Sequence, residues 1–437
     1  MPRSLTARVL PAWVDPAALF LSLERNAGDV FWLDAGADAA DGWSFIGTGE
    51  QASLPVDVRL DEARPVAAGE PPFRGGWVGW YDYESGARRA GAPVADAAGT
   101  EGGAWLRVTR AVALDHGARR AWVLAEADDL DDWESSVRER RAAASAPPAG
   151  PAPTLAIARH TPDEYTALIE RCRELIRAGI AYQLCLTTRF NVPGAHDAVA
   201  AYLRLRSATP AHHGGFLRIG DRALLSASPE QFLHAEGGVI RTRPIKGTRP
   251  RSADPAADAA LAAELAADAK ERAENVMIVD LMRNDLSQVC VPGSIRVDGL
   301  WVVESYPAVH QLVSTVSGTA APGTTVGALL DASFPAGSMT GAPKLSAMTR
   351  LRELEGGPRG VYAGCFGHVG VDGTLDLAMV IRSIVIDGEG AVVGAGGGIT
   401  WRSVAASEVA EVATKARAPL AALGAEMPPA WGSDILN

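Results

Sequence analysis

From Gln231 to Arg243 the chain reads as strand, turn, strand, and this hairpin constrains the fold more than any other segment. It is preceded by Leu224-Leu225-Ser226-Ala227-Ser228-Pro229-Glu230 and followed by Pro244-Ile245-Lys246-Gly247-Thr248-Arg249-Pro250. A hairpin here returns Lys246 towards Glu230 and sets an amine and an acid over one site. Lysine is charged and inert as a nucleophile at neutral pH. Burial or a nearby cation lowers its pKa and releases the amine for attack.

Elsewhere, short apolar runs alternate with turns. Val30 to Asp34, Trp43 to Gly47 and Gly75 to Tyr81 read as strands, and Glu126 to Ala144 as a charged helix. Thr161-Pro162-Asp163-Glu164 opens a helix with a capping box, and Tyr165, Leu168, Ile169, Cys172, Leu175 and Ile176 form its apolar face. Ala256 to Asn275 is rich in helix formers and is expected to continue through Leu281; Val404 to Ala416 is the last substantial helix. Trp301 to Val303, Val309 to Val316, Val361 to Val369, Leu375 to Ile386 and Ala391 to Gly394 read as strands. The pattern implies an α+β unit with antiparallel sheet and helical layers, not repeated βαβ units. Ser145 to Thr154, with four prolines and a glycine, is a connection. It separates an N-terminal region, 1–145, from a second region, 155–420, the two expected to pack as one compact unit.

The net charge is 41 minus 52, or −11. Such a surface opposes nonspecific nucleic-acid binding and offers no basic anchor for a membrane. The four cysteines are far apart, without metal-site spacing or the density of a disulfide scaffold. Residues 305 to 330 carry no Asp, Glu, Lys or Arg, but prolines, His310 and Gln311 argue against a spanning helix. No signal peptide is evident, so a soluble cytoplasmic protein is expected.

Glu271 and Glu274 stand three apart on a probable helix, and Glu408 and Glu411 repeat that spacing. If the helices meet, four acids repel one another, and a hard divalent ion, magnesium above all, resolves the conflict. Alone, each pair reads better as a solvated helix face. Gly337 to Lys344 offers backbone donors and a cation, and Ala395 to Thr400 admits close approach of a ligand. Neither stretch matches a phosphate loop or a dinucleotide fingerprint. Arg382 follows an apolar run and suits a carboxylate, or is an ordinary surface arginine. His310 is a hydrogen-bond donor to a ligand, or a structural histidine.

Together these segments resemble the chorismate-utilising synthases, and within them the aminodeoxychorismate synthase component I group. The resemblance runs through Ser228-Pro229-Glu230, Pro244 to Thr248, Lys270 to Leu286, His310, Gly341 to Lys344, Arg382, Ala395 to Ile399, and Ser403 with Glu408 and Glu411. It covers most of 160–417, and Trp43 to Gly47 and Gly75 to Gly79 extend it upstream. It implies two facing antiparallel sheets flanked by helices, with a chorismate cavity between them. Anthranilate synthase component I typically has alanine where this chain has Lys246, so the para-amino route is the implied one. Anthranilate synthase, a water-adding isochorismate-type synthase and a catalytically idle binding subunit are the competing readings.

The resemblance further implies Lys246, Glu230 and His310 as catalytic groups, and Thr248, Lys344, Arg382, Gly397 and Gly398 as substrate contacts. Mg2+ is implied at Glu271, Glu274, Glu408 and Glu411. Lys246 would bond to C2 of chorismate while Glu230 protonates the departing C4 hydroxyl, and ammonia would then displace the lysine to give 4-amino-4-deoxychorismate. A separate glutamine amidotransferase subunit is implied as the ammonia source, and another enzyme for pyruvate elimination. The chain departs from the family pattern at Cys185, often asparagine, at Trp80 and Asp82, and at Thr400 to Ser403 with Ala405-Ala406. Some relatives have an N-terminal tryptophan pocket.

Overall fold

The computed structural model describes residues 4–63, 65–94, 103–139, 153–307 and 309–432. Most of the proline-rich connection, residues 145–152, lies outside them, as does the end of the charged helix expected over Glu126 to Ala144. Within them that helix runs Leu130–Glu139.

Among the described residues, twenty strands join in one hydrogen-bonded network, with a two-stranded parallel pair apart from it. The long strand Ala104–Asp115 is its seam. Trp43–Ala52 pairs along one edge, while Gly76–Tyr81 and Arg120–Ala125 share the other. One limb continues from Trp43–Ala52 through Val30–Asp34, His213–Ile219, Arg222–Ser228, Ser383–Asp387 and Gly390–Ile399 to Gln183–Pro193. The other continues from Gly76–Tyr81 through Cys365–Gly370, Leu375–Met379, Gln231–Glu236 and Val239–Thr242 to Val309–Thr319. That last strand also carries Ile245–Pro250 and Arg296–Ser305. The expected α+β fold with antiparallel sheet is present. Its two sheets are limbs of one network, because the seam strand pairs with both; its pairing with Trp43–Ala52 slips between Thr48 and Gly49, a bulge that increases local twist.

The expected capping box is present: Glu164 N–H donates to Thr161 Oγ1, and Thr161 N–H to Glu164 Oε2 at 2.8 Å. The helix expected from Ala256 through Leu281 is instead two, Pro255–Ala267 and Ala269–Ser287. Asp268 between them is extended, and its carboxylate accepts from the Lys270 and Glu271 N–H groups at 2.9 and 3.1 Å. A new N-cap therefore starts the helix that carries Glu271 and Glu274. This helix packs on Val309–Thr319, and Ala405–Ala422 packs on Gly390–Ile399. Each carboxylate pair is thus carried against one limb. Among the described residues, no helix is long and apolar enough to cross a membrane.

Candidate active site

Lys246 lies in Ile245–Pro250, whose pairing with Val309–Thr319 shifts by one residue between Lys246 and Thr248. Gly247, at φ 79°, forms this bulge, a conformation that glycine adopts without a Cβ clash. Lys246 and Thr248 both line a cavity of about 770 Å³ between the limbs. Opposite them stands the glycine run of Gly390–Ile399: the Lys246 Nζ lies 3.4 Å from the place a Cβ on Gly398 would occupy. A side chain on Gly398 would thus begin in van der Waals contact with the amine.

Glu230 enters the same cavity from the end of Arg222–Ser228, where its carbonyl accepts from Met379 N–H at 3.0 Å. It is buried, and burial pushes its carboxyl up to about 7 against the opposing pull of Lys246, the side chain of Ser338 and the charge of Lys415. The expected return of the hairpin towards Glu230 therefore brings acid and amine to one space. Burial also pushes the Lys246 ammonium down, but Glu274, Cys185, Glu230 and Glu411 push it up and prevail, so it stands above its ordinary value. The lysine keeps some accessible surface only because it faces the cavity.

Glu271, Glu274, Glu408 and Glu411 line one wall. Burial raises the carboxyls of Glu271, Glu274 and Glu408, and repulsion adds to it: Glu274 acts on Glu271, Glu408 and Glu411 on Glu274, and Glu411 on Glu408. Burial would raise Glu411 too, but the Lys415 ammonium 2.6 Å away, with Lys246 and Lys270, outweighs it and holds this carboxyl below its ordinary value. Glu408 Oε2 and Glu411 Oε1 lie 3.0 and 3.8 Å from where a Cβ on Gly397 would sit. Among the described residues, no group of three or more His, Cys, Asp or Glu is drawn together tightly enough to hold a metal. The donor chemistry, several carboxylate oxygens in mutual repulsion beside an open space, nevertheless fits a hard divalent cation.

Gly397, Gly398 and Arg382 also line the cavity. Arg382 interrupts the strand expected from Leu375 to Ile386: at φ 52° it separates Leu375–Met379 from Ser383–Asp387. Its guanidinium, whose pKa burial lowers, makes no ion pair among the described residues. Two expected residues are placed elsewhere. His310 is buried between Ser305 Oγ, 2.8 Å from its Nδ1, and Asp258 Oδ1, 2.9 Å from its Nε2. Strand alternation turns Val309 and Gln311 into the cavity and His310 away from it. Lys344 is not among the lining residues; it donates to Asp285 Oδ2 at 2.7 Å and to the Ser333 carbonyl at 3.0 Å.

Sequence reasoning missed Gln183, Gln311, Ser338 and Lys415. Gln183 is fully buried, and neither end of its amide has a hydrogen-bond partner. Its one signal was a polar residue opening the apolar run Leu184-Cys185-Leu186. Lys415 was legible as the i+4 partner of Glu411, and it also donates to the Gly396 carbonyl at 2.7 Å. A second cavity of about 420 Å³ is lined by His212, His213, His234, His368, Asp376 and Trp43, among others. Pro229 and Ile245 line both cavities, so the residues just before Glu230 and Lys246 form the partition.

Comparison with known proteins agrees with this geometry. A family profile described as chorismate binding enzyme matches residues 29–421. An aminodeoxychorismate synthase of Streptomyces pristinaespiralis is 39% identical over 94% of this chain, which spans 64% of that relative's length. An anthranilate synthase component 1 of Streptomyces coelicolor is also 39% identical, over 84% of this chain and 76% of the relative. Among solved structures, anthranilate synthase component I from Streptococcus pneumoniae superposes with a TM-score of 0.72 at 27% identity, covering 96% of this chain and 92% of that one. The chain belongs to the chorismate-binding enzyme family.

Proposed function

We propose that the protein is the synthase component that converts chorismate and ammonia to 4-amino-4-deoxychorismate, acting in the cytoplasm with a separate glutamine amidotransferase as its ammonia source. The observation that carries this reading is the amine of Lys246 inside the cavity, with the Glu230 carboxyl poised at about 7 in the same space. We treat 1–145 and 155–420 as parts of one working unit.

In this mechanism Glu230, protonated, donates to the C4 oxygen of chorismate as the Lys246 amine bonds to C2; both ring double bonds shift by one position and water leaves from C4. Ammonia then bonds to C4, the C2–N bond breaks, and Lys246 departs as a neutral amine. The Glu230 carboxylate takes the surplus proton from the new C4 nitrogen and is ready for another cycle. Arg382 suits the enolpyruvyl carboxylate, and backbone N–H groups at Gly397 and Gly398 suit the ring carboxylate. Glu271, Glu274, Glu408 and Glu411 would hold a magnesium ion, which when bound supplies the positive field for an anionic substrate. Burial favours the free amine of Lys246, while Glu274 and Glu411, with Cys185 and Glu230, favour the ammonium; neutralising the two metal-site carboxylates would weaken that opposition. We assign no proton transfer to His310 or Lys344, which are engaged outside the cavity.

The test is product analysis after incubation of the purified protein with chorismate, magnesium and 15N-ammonium. Labelled 4-amino-4-deoxychorismate, giving para-aminobenzoate only when a lyase is added, is the expected result. Direct formation of anthranilate would support the second reading, anthranilate synthase, which the equal 39% identity to a relative of that name keeps in play. Turnover without ammonia would indicate a water-adding synthase, and binding without turnover an idle subunit.

A further inference from the structure

Behind the cavity lies a buried ionic group that the proposed chemistry does not use. Arg359 and Glu355 are 5% and 2% exposed. The Arg359 Nε and Nη2 donate to Glu355 at 2.8 and 2.7 Å, and the guanidinium stacks on Tyr83. Glu355 Oε1 also accepts from the N–H and hydroxyl of Thr187, both at 2.9 Å. A buried pair such as this adds little net stability over an apolar replacement, so where its remaining donors go is informative. Arg359 Nη1 donates to the Met339 carbonyl at 2.6 Å, and Nη2 to the Cys185 carbonyl at 2.9 Å. Both receiving residues line the cavity. Met339 belongs to the turn Gly337–Met339, whose Ser338 lines the same cavity as Glu230 and acts to lower its carboxyl pKa.

We infer that Arg359, braced by Glu355, is a positioning residue: it ties the Gly337–Met339 turn to the strand Gln183–Pro193 and thereby sets the place of Ser338 in the cavity that it shares with Glu230. One guanidinium spans two carbonyls from separate elements, a geometry that an ammonium cannot reproduce with the same fork. The charged groups that face Glu230 are Lys246, from Ile245–Pro250, and Lys415, from Ala405–Ala422. Neither depends on Arg359 for its place in the chain. Loss of the brace should therefore act on Glu230 mainly through Ser338, which favours the ionised carboxylate. The catalytic importance of this device rests on Glu230 being the acid of the proposed reaction.

The experiment is a 13C-glutamate NMR titration of the full chain, with the Glu230 signal assigned by its loss in Glu230→Gln. Ser338→Ala is expected to move that titration upward by about half a pH unit or more. Arg359→Lys, which preserves the charge beside Glu355, is expected to move it the same way, and the double variant no further than Ser338→Ala alone. An unmoved Glu230 in Arg359→Lys, or shifts that add in the double variant, would overturn the inference even if stability fell. Should Arg359→Lys not fold, Glu355→Gln weakens the same brace and must shift the titration in the same direction. Because the readout is a carboxyl titration and not turnover, it stands if the chorismate chemistry fails. An upward shift in a protein that forms no aminodeoxychorismate would keep the brace and reject the proposed function.

Discussion

Gln183 and Gly398 meet so closely that a Cβ on the glycine would stand 2.4 Å from the Gln183 Nε2, and 3.4 Å from the Lys246 Nζ. Gln183 has no accessible surface into which to retreat. Gly398→Ala should therefore displace the amide and set a methyl in contact with the amine, costing about 1–3 kcal/mol of stability. Thermal unfolding and turnover should both decline, turnover further. A variant with parental melting temperature and rate would mean that the strand yields without disturbing either side chain.

Lys246→Ala should reduce aminodeoxychorismate formation by about 10²–10⁴-fold while chorismate binding stays within about tenfold. Calorimetric binding and single-turnover product analysis separate the two effects. Parental turnover in this variant would end the covalent assignment.

Glu230 links catalysis to stability through pH. Its carboxyl has an ordinary value of 4.5 and a folded value of about 7, so the folded protein binds this proton more tightly. The resulting stabilisation is complete below about pH 4.5 and is lost as pH rises through about 7. Glu230→Gln, which cannot ionise, should match its parent in acid and exceed it above pH 7 by on the order of 3 kcal/mol. Denaturant unfolding at pH 5 and pH 8 measures the difference. A gap that does not widen with pH would show that the carboxyl ionises normally.

Replacing Glu408 should have effects of opposite sign with and without divalent ions. Glu408→Gln removes a buried charge that Glu411 repels, so the metal-free variant should gain about 1 kcal/mol. Its stabilisation by added magnesium should shrink, because a carboxylate donor has gone. Melting curves in EDTA and across a magnesium series test both. An unchanged magnesium response would remove Glu408 from the proposed metal site.

The neighbours His310 and Gln311 should behave differently. His310→Leu loses the bonds to Ser305 and Asp258 and should cost about 1–2 kcal/mol, with KM for chorismate within about twofold. Gln311→Leu faces the cavity and should alter KM with less effect on stability. Steady-state kinetics beside melting curves would expose a reversal of these roles.

Much of this site was legible because local rules suffice for it. A hairpin carries Lys246 back towards Glu230, helical spacing puts the paired glutamates on common faces, and a capping box fixes where the helix at Pro162 begins. What escaped depended on register or on distant partners. Whether His310 or Gln311 faces the cavity is decided by the register of Val309–Thr319 against its neighbours, and one residue reverses the answer. Lys344 looked like a cation for the substrate until Asp285, far away in sequence, was found beside it. The break at Arg382 comes from a left-handed backbone inside an apolar run that reads as continuous strand. The unpaired amide of Gln183 follows from three-dimensional enclosure, which no spacing encodes.

Because Ala104–Asp115 belongs to both limbs, the two sheets that flank the candidate cavity share a single spine. Any change in their separation would have to flex a continuous backbone ladder. A fragment beginning near residue 155 would contain every proposed catalytic group, yet it would lack the beam that holds those groups at their working distance.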